Sequence, residues 1–211
     1  MKFDAIIFDC DGTLVDSERV GNEALIECVA ELGLRISIDD ALKEFAGRKM
    51  ADTLGLIELR LGRPLPSDFL PLARHRMAEA FEERLEAMEG VHTLLDKLTI
   101  PFCVASNGPA DKMRVSLGVT NLLPYFESRI YSAYDCGSWK PEPGLFIHSA
   151  AAMGVSPNRC AVIEDSPIGV IAGIRAGMTV FGYAPKKDGK HLTEAGAQVF
   201  HDMGELLALL K

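Results

Sequence analysis

The sequence predicts an α/β fold, in which helices cover a parallel sheet and an all-helical segment interrupts it. Short apolar segments, each ending in a polar turn, alternate with helical patterns along most of the chain. Residues 17–88 break that alternation, because they are rich in Ala, Leu, Glu and Arg and show almost no strand-like pattern. We therefore expect residues 1–16 and 89–211 to form an α/β core and residues 17–88 to form a helical cap.

Four segments have the apolar, partly β-branched character of buried strands. The first runs into Asp9, the second into Ser106 and the third into Glu164. In an open parallel sheet, ligands bind at the carboxyl ends of the strands where the strand order reverses. The polar residues after these strands are therefore the candidates for a functional site. The four predicted strands span residues 4–8, 101–105, 160–163 and 178–183.

Helical patterns fill the intervals between the predicted strands. The clearest begins at Pro167 and ends at Gly177, a proline-first, glycine-last pair of boundary signals. In the core, helices are predicted over residues 91–98, 109–118, 143–153, 167–176 and 202–210. In the cap, they are predicted over residues 17–32, 39–46, 50–61 and 68–86.

Composition and charge argue against several classes of protein. The formal net charge is −8, and no run of Lys or Arg stands out, which is a poor basis for binding nucleic acid or an anionic membrane. The five cysteines are odd in number and none are spaced C-x-x-C, as expected of free thiols in a reducing compartment. No apolar run approaches the roughly 20 residues of a membrane span. We therefore expect a cytoplasmic protein; the sequence leaves its oligomeric state open.

The first chemical cluster is the segment 9–13, which reads DCDGT. Asp9 and Asp11 are two residues apart at a strand end and can face one site. The glycine and threonine that follow permit a tight turn whose backbone N–H groups suit a phosphate. An EF-hand loop also begins D-x-D, but its required glycine and glutamate would here be Leu14 and Val20, which excludes it.

Three further clusters also lie at or beyond predicted strand ends. The hydroxyl and N–H groups of Ser106 and its neighbours suit an oxyanion, although for this cluster alone an ordinary helix cap is the better explanation. Lys140 precedes a proline that restricts its backbone, and a solvated surface charge is the alternative. Glu164 and Asp165 directly follow a buried strand, where adjacent acids are costly unless they bind a cation or water. Mg²⁺ is commonly held by such carboxylates together with phosphate oxygens.

The order of these clusters, acid pair, hydroxyl, lysine, acid pair, resembles that of the haloacid dehalogenase-like hydrolase superfamily. That superfamily has a Rossmann-like sheet with an inserted cap. The resemblance covers essentially the whole chain, and segments 9–18 and 164–169 are its most specific parts. It implies a phosphatase that acts on a small phosphorylated metabolite.

The resemblance also implies a role for each core residue. Asp9 would attack phosphorus and form an aspartyl-phosphate, as in covalent catalysis generally. Asp11 would protonate the leaving alcohol and then activate water. Ser106 would hydrogen-bond a phosphoryl oxygen, and Lys140 would neutralise the charge of Asp9 and the phosphate.

A Mg²⁺ site is implied as well. Its ligands would be the Asp9 side chain, the Asp11 backbone carbonyl and Asp165, with Glu164 in support. The ion would stabilise charge on the transferring group, which is the main catalytic need in phosphoryl transfer.

Substrate contacts are implied for four more residues. Asn107 and Gly108 follow Ser106 in the second cluster. Arg48 and Lys49 lie in a segment similar to the cap loop that faces the active site in this superfamily, although ordinary exposed helix charges are an equally good interpretation.

Departures from the patterns of related subgroups favour a phosphatase. Members similar to β-phosphoglucomutase have a histidine where this chain has Gly21 and an arginine where it has Met50. Segments 106–113 and 134–141 are similar to sugar-acid phosphatases of the group, so a sugar phosphate or a sugar-acid phosphate such as 6-phosphogluconate is the expected substrate. A β-phosphoglucomutase-like phosphomutase and a non-catalytic phospho-acceptor remain as alternatives.

Overall fold

The computed structural model describes residues 2–45, 50–185 and 188–211 of the chain. Within these residues, six strands form one sheet, and every paired neighbour runs parallel. The strand order is β3-β2-β1-β4-β5-β6, so the order reverses beside β1. In chain order the strands are β1 (Ala5–Phe8), β2 (Phe102–Ser106), β3 (Ile130–Ser132), β4 (Cys160–Glu164), β5 (Thr179–Tyr183) and β6 (Gln198–Phe200).

The chain divides into two compact units. The unit that contains the sheet comprises Met1–Val15 and Glu86–Lys211, and the other comprises Asp16–Leu85. The described residues of the second unit form helices and no strand. The fold class predicted from the sequence, a parallel α/β sheet with an inserted all-helical unit, is confirmed.

The central strands of the sheet are enclosed on both faces, since every residue of β1, β2 and β4 is buried. This is the usual condition of a parallel sheet, which explains why these strands read as continuous apolar runs. On one face, Ile7 and Val162 belong to a core that also includes residues of the covering helices. On the other face, the Phe8 ring meets the rings of Phe102 and Phe126 edge-on, at centroid distances of 6.1 and 6.4 Å. The well-packed core fixes the positions of the strand ends.

Helices of the sheet unit follow the boundary signals in the sequence. The helix after β4 begins at Pro167, and the hydroxyl of its N-cap, Ser166, accepts a hydrogen bond from the Gly169 N–H at 3.2 Å. None of the described helices is both long and apolar enough to cross a membrane. The helices of this unit are α5 (Val91–Lys97), α6 (Ala110–Val119), α7 (Leu123–Phe126), α8 (Ala133–Cys136), α9 (Gly144–Ala152), α10 (Pro167–Arg175), α11 (Lys190–Ala195) and α12 (Met203–Leu209).

The helical unit has an apolar core of its own. Leu25, Phe45, Ile57 and Phe69 pack together from the four helices that the structure describes in this unit. These helices are α1 (Ser17–Glu31), α2 (Ile38–Phe45), α3 (Met50–Leu61) and α4 (Phe69–Arg84). A cavity of about 330 Å³ lies within this unit and is lined by Ser17, Glu18, Gly21, Asn22, Leu25, Phe45, Met50, Thr53 and Met77.

Sequence patterns do not predict β3 and β6, which have three residues each. Three residues are too few to show either alternation or a continuous apolar run. Among the strands that the structure describes, both lie at sheet edges, where β3 pairs only with β2 and β6 only with β5. Their structure therefore depends on pairing with a neighbour more than on their own sequence.

Candidate active site

Three neighbouring strands bring polar residues to one edge of the sheet. Asp9 directly follows β1, Ser106 is the last residue of β2, and Glu164 is the last residue of β4. The strands are parallel and lie in the order β2-β1-β4, so these ends meet where the strand order reverses. The residues are 8%, 4% and 1% exposed, respectively, which is unusual for polar groups without a specific role.

Lys140 connects two of these strand ends. Its Nζ donates hydrogen bonds to Asp9 Oδ1 and to Glu164 Oε1, the latter at 2.6 Å. The same ammonium group lies 4.9 Å from the centroid of the Phe146 ring. The residue is only 5% exposed, so Lys140 is not a solvated surface charge.

This pairing perturbs the ionisation of both partners. Burial raises the pKa of Asp9 to about 7, and the negative charges of Glu164 and Asp11 add to that rise while Lys140 opposes it. Burial by itself would lower the pKa of Lys140, but the two carboxylates more than offset it, so the lysine pKa is raised. Lys140 therefore stays cationic at neutral pH and supplies fixed positive charge beside Asp9.

The loop containing Lys140 is tied to the end of β2. The Lys140 N–H donates to Asn107 Oδ1 at 2.8 Å, and Asn107 Nδ2 donates to the Lys140 carbonyl oxygen at 3.2 Å. The turn itself is held by a Gly108 N–H bond to Ser106 Oγ at 3.1 Å and by a Ser132 hydroxyl bond to the Gly108 carbonyl at 2.7 Å. The amide of Asn107 thus holds the lysine loop, and the substrate contacts of Asn107 and Gly108 stay predictions.

Three carboxylates lie close enough to share a cation. One oxygen from each of Asp9, Glu164 and Asp165 lies within 4.8 Å of the others. The glycine of the DCDGT turn makes this possible, because a Cβ at Gly12 would lie 2.1 Å from Asp165 Oδ2. Oxygen donors in such a set fit Mg²⁺, the cation that the sequence resemblance implies. The part predicted for the Asp11 carbonyl stays a prediction.

Glu164 is engaged on both carboxylate oxygens. Oε1 accepts from Lys140, and Oε2 accepts from the N–H and the hydroxyl of Ser166 at 3.0 and 2.8 Å. These bonds satisfy an almost fully buried charge. Protein groups thus hold the carboxylate in place, which suits a supporting position beside a cation.

Gly169→Ala is expected to disrupt this arrangement. A Cβ at Gly169, in the first turn of α10, would lie 1.8 Å from Glu164 Oε1. The methyl group must therefore displace the carboxylate from its partners, which should lower the free energy of unfolding by about 2–4 kcal/mol. Urea unfolding monitored by circular dichroism measures the change.

The matched control is Gly118→Ala, another helical glycine of the same unit. A Cβ at Gly118 has nothing within 4 Å. This variant should be as stable as the wild type, or more stable by up to about 1 kcal/mol. Equal unfolding free energies for the two variants would contradict the predicted clash.

Asp11 has a partner that no sequence pattern indicates. Its Oδ2 accepts a hydrogen bond from Lys112 Nζ at 3.0 Å, across 101 positions of sequence. Its Oδ1 is buried and has no hydrogen-bond partner among the residues that the structure describes. The predicted role of Asp11 as proton donor stays a prediction, and Lys112 joins the candidate residues.

Two predicted residues cannot be placed, because Arg48 and Lys49 lie outside the described residues.

Cys10, between the two aspartates, is buried, and this burial raises the pKa of its thiol well above the usual value. The negative charges of Asp11 and Asp9 raise the pKa further. A thiolate nucleophile at Cys10 is therefore disfavoured.

Residues 3–177 match the family model of the haloacid dehalogenase-like hydrolases. The chain therefore belongs to this family of hydrolases, as its motifs indicate. It is 36% identical over 211 residues to 6-phosphogluconate phosphatase from Escherichia coli (strain K12), covering 100% of this chain and 96% of that protein. It is 30% identical over 193 residues to validoxylamine A 7'-phosphate phosphatase from Streptomyces hygroscopicus subsp. limoneus, covering 90% and 89%.

Solved structures show the same similarity. A family hydrolase from Deinococcus radiodurans R1, crystallised with bound phosphate and sodium, superposes with a TM-score of 0.90 at 32% identity. The alignment covers 99% of this chain and 95% of that one. Similarity to phosphatases over nearly the full length supports a phosphatase activity for this chain.

Proposed function

We propose that this protein hydrolyses the phosphate monoester of a small sugar or sugar acid, with Asp9 as the nucleophile. The main support is the buried contact of Lys140 with Asp9 and Glu164 at the reversal point of the sheet. A carboxylate enclosed with a cation at this edge suits attack on an anionic phosphoryl group, because the lysine offsets the charge repulsion.

The remaining residues have complementary parts in this proposal. In the first step, an Asp9 oxygen bonds to phosphorus, the ester bond breaks, and Asp11 gives its proton to the leaving oxygen. In the second step, water bonds to phosphorus and gives a proton to Asp11, and the Asp9–phosphorus bond breaks. Ser106 donates a hydrogen bond to a phosphoryl oxygen. When bound by Asp9, Asp165 and the Asp11 carbonyl, Mg²⁺ supplies positive charge beside the phosphoryl group.

The lining of the cavity in the helical unit suits a hydroxyl-rich substrate. Its cavity of about 330 Å³ is within the range of small-molecule sites. Hydroxyl, carboxylate and amide groups from Ser17, Glu18 and Asn22 line it, and these groups can pair with sugar hydroxyls. The E. coli relative is named for 6-phosphogluconate, so we propose that compound as the first substrate to test.

The glycine at position 21 favours hydrolysis over a phosphomutase reaction. A Cβ at this position would lie 3.2 Å from Met77 Cε and 3.4 Å from the Phe81 ring. A side chain here, such as the histidine of β-phosphoglucomutase-like members, would require the Met77 methyl group to shift slightly. The chain thus lacks the histidine that those members have at this position.

The proposed function is tested by phosphate release from a panel of phosphorylated metabolites that includes 6-phosphogluconate and glucose 1-phosphate. We expect release of inorganic phosphate with Mg²⁺ and loss of release with EDTA. Conversion of glucose 1-phosphate to the 6-phosphate without phosphate release would favour a mutase. No release from any member by folded protein with Mg²⁺ would contradict the proposal.

A further inference from the structure

The two carboxylate oxygens of Asp11 have different surroundings. Oδ2 accepts a hydrogen bond from Lys112 Nζ at 3.0 Å. Oδ1 is buried and has no hydrogen-bond partner among the described residues. A carboxylate held at one oxygen in this way has a defined orientation, and only the other oxygen remains available to a reacting group.

Lys112 belongs to an element that is well fixed. It lies in the first turn of α6, which follows the turn containing Ser106 and Gly108. A Cβ built on Gly108 would lie 3.9 Å from Lys112 Cδ, so the lysine stem runs beside that turn. Hydrogen bonds to Ser106 and Ser132 hold the Gly108 backbone in place. The Lys112 ammonium group therefore extends beside a part of the chain whose conformation is fixed.

Stability does not explain this ion pair. The side chains of Lys112 and Asp11 are 44% and 31% exposed. Ion pairs with this much exposure contribute little to folding stability. The buried Oδ1 opposes stability, because a buried acceptor without a partner keeps its desolvation cost. The arrangement therefore indicates a function.

We propose that Lys112 is a positioning residue that holds Oδ2 of Asp11 and so selects Oδ1 as the oxygen that exchanges the proton. This inference rests on the proposed function. As the ester bond breaks, Oδ1 passes its proton to the leaving oxygen. As water attacks the phosphorus of the aspartyl-phosphate, Oδ1 takes the water proton back. The lysine keeps its own protons and its contact with Oδ2 throughout.

A comparison of leaving groups tests this role with the full-length protein. An alkyl ester such as 6-phosphogluconate needs a proton on its leaving oxygen, whereas p-nitrophenyl phosphate releases a stable phenolate. For Lys112→Met we expect kcat/KM to fall about tenfold to hundredfold on 6-phosphogluconate and less than about threefold on p-nitrophenyl phosphate. The value of kcat/KM reports only the steps up to transfer of the phosphoryl group to Asp9. Hydrolysis of the aspartyl-phosphate, which both substrates share, therefore does not mask the difference between the substrates.

Two further variants separate positioning from direct binding or misfolding. Lys112→Arg keeps the charge and the donors, and should restore the wild-type ratio between the two substrates. Adding Lys112→Met to Asp11→Asn should cost less than about twofold more, because the lysine acts through Asp11. Lys97→Met, an exposed lysine of α5, is the matched control and should change neither substrate.

Equal losses on both substrates would overturn the proposal, and so would a further large loss in the Asp11→Asn background. Either result would mean that Lys112 contacts the substrate directly or only supports the fold. A wild-type protein that releases no phosphate, or an Asp9→Asn variant that still does, would instead reject the proposed function itself.

Discussion

Replacing Asp9 by asparagine is expected to lower phosphatase turnover by at least about 10⁴-fold on every substrate. An amide oxygen is a poor nucleophile and does not form a stable phosphoryl ester. The two side chains have nearly the same volume, so the buried site keeps its packing. Lys140 keeps its second partner, Glu164, in this variant. The variant should therefore lose turnover because it lacks the nucleophile, while it remains folded.

Two measurements check this expectation. Steady-state phosphate release gives the loss of turnover. Mass spectrometry of rapidly quenched reactions should find one added phosphoryl group on the peptide that contains Asp9 in the wild type and none in the variant. Turnover by Asp9→Asn within about tenfold of the wild type would reject Asp9 as the nucleophile.

Asp4→Asn is the matched control. It makes the same chemical change just before β1, where Asp4 pairs with Arg159 at the surface and the side chains are 53% and 47% exposed. We expect its turnover to stay within about twofold of the wild type, because exposed ion pairs contribute little. A large loss in this control would show that the result at Asp9 reflects a general disturbance of β1.

The sequence predicts that the polar clusters lie together at one edge of the sheet, because that prediction needs only the positions of the strands. Asp9, Ser106 and Glu164 each end or follow a strand that is buried at every residue, and such strands read as unbroken apolar runs. Parallel strands share one carboxyl edge, so residues that end adjacent strands must lie together. Neither side-chain geometry nor loop conformation enters that argument.

The contacts that complete the site depend on loop conformation, which sequence patterns do not specify. Asn107 and Lys140 are 33 residues apart, and their paired hydrogen bonds require two loops to meet in one orientation. The pairing of Asp11 with Lys112 depends likewise on how α6 leaves its turn. The close approach of Gly169 to Glu164 depends on the angle at which the chain enters α10. The periodicity and composition of the sequence carry no information about such long-range contacts.

Lys140→Met is expected to reduce turnover by at least about 10³-fold and to destabilise the protein by about 3 kcal/mol near neutral pH. Methionine has a similar length but no charge. Its presence leaves Asp9 and Glu164, both buried, without the ammonium group that pairs with each of them. Breaking a buried pair on one side is costly because the remaining charge keeps its desolvation penalty.

The stability loss should depend on pH in a defined direction. With Lys140 present, burial already raises the Asp9 pKa to about 7. Removing the lysine removes an influence that lowers this pKa, so the folded-state pKa should rise further, while the unfolded value stays about 3.9. Between these two values the folded state binds more protons than the unfolded state, so the free energy of unfolding falls as pH rises. The deficit of Lys140→Met relative to the wild type should therefore be larger near pH 8 than near pH 5.

Urea unfolding of both proteins at several pH values between about 5 and 8 measures this difference. Lys190→Met is the matched control, because Lys190 also pairs with a carboxylate, that of Glu194, but the two side chains are 75% and 67% exposed. Water solvates that pair, so its removal should leave stability nearly unchanged at every pH. A deficit of Lys140→Met that does not vary with pH would mean that Asp9 holds its charge without the lysine. The buried pairing would then matter for the chemistry of the site and not for the ionisation of Asp9.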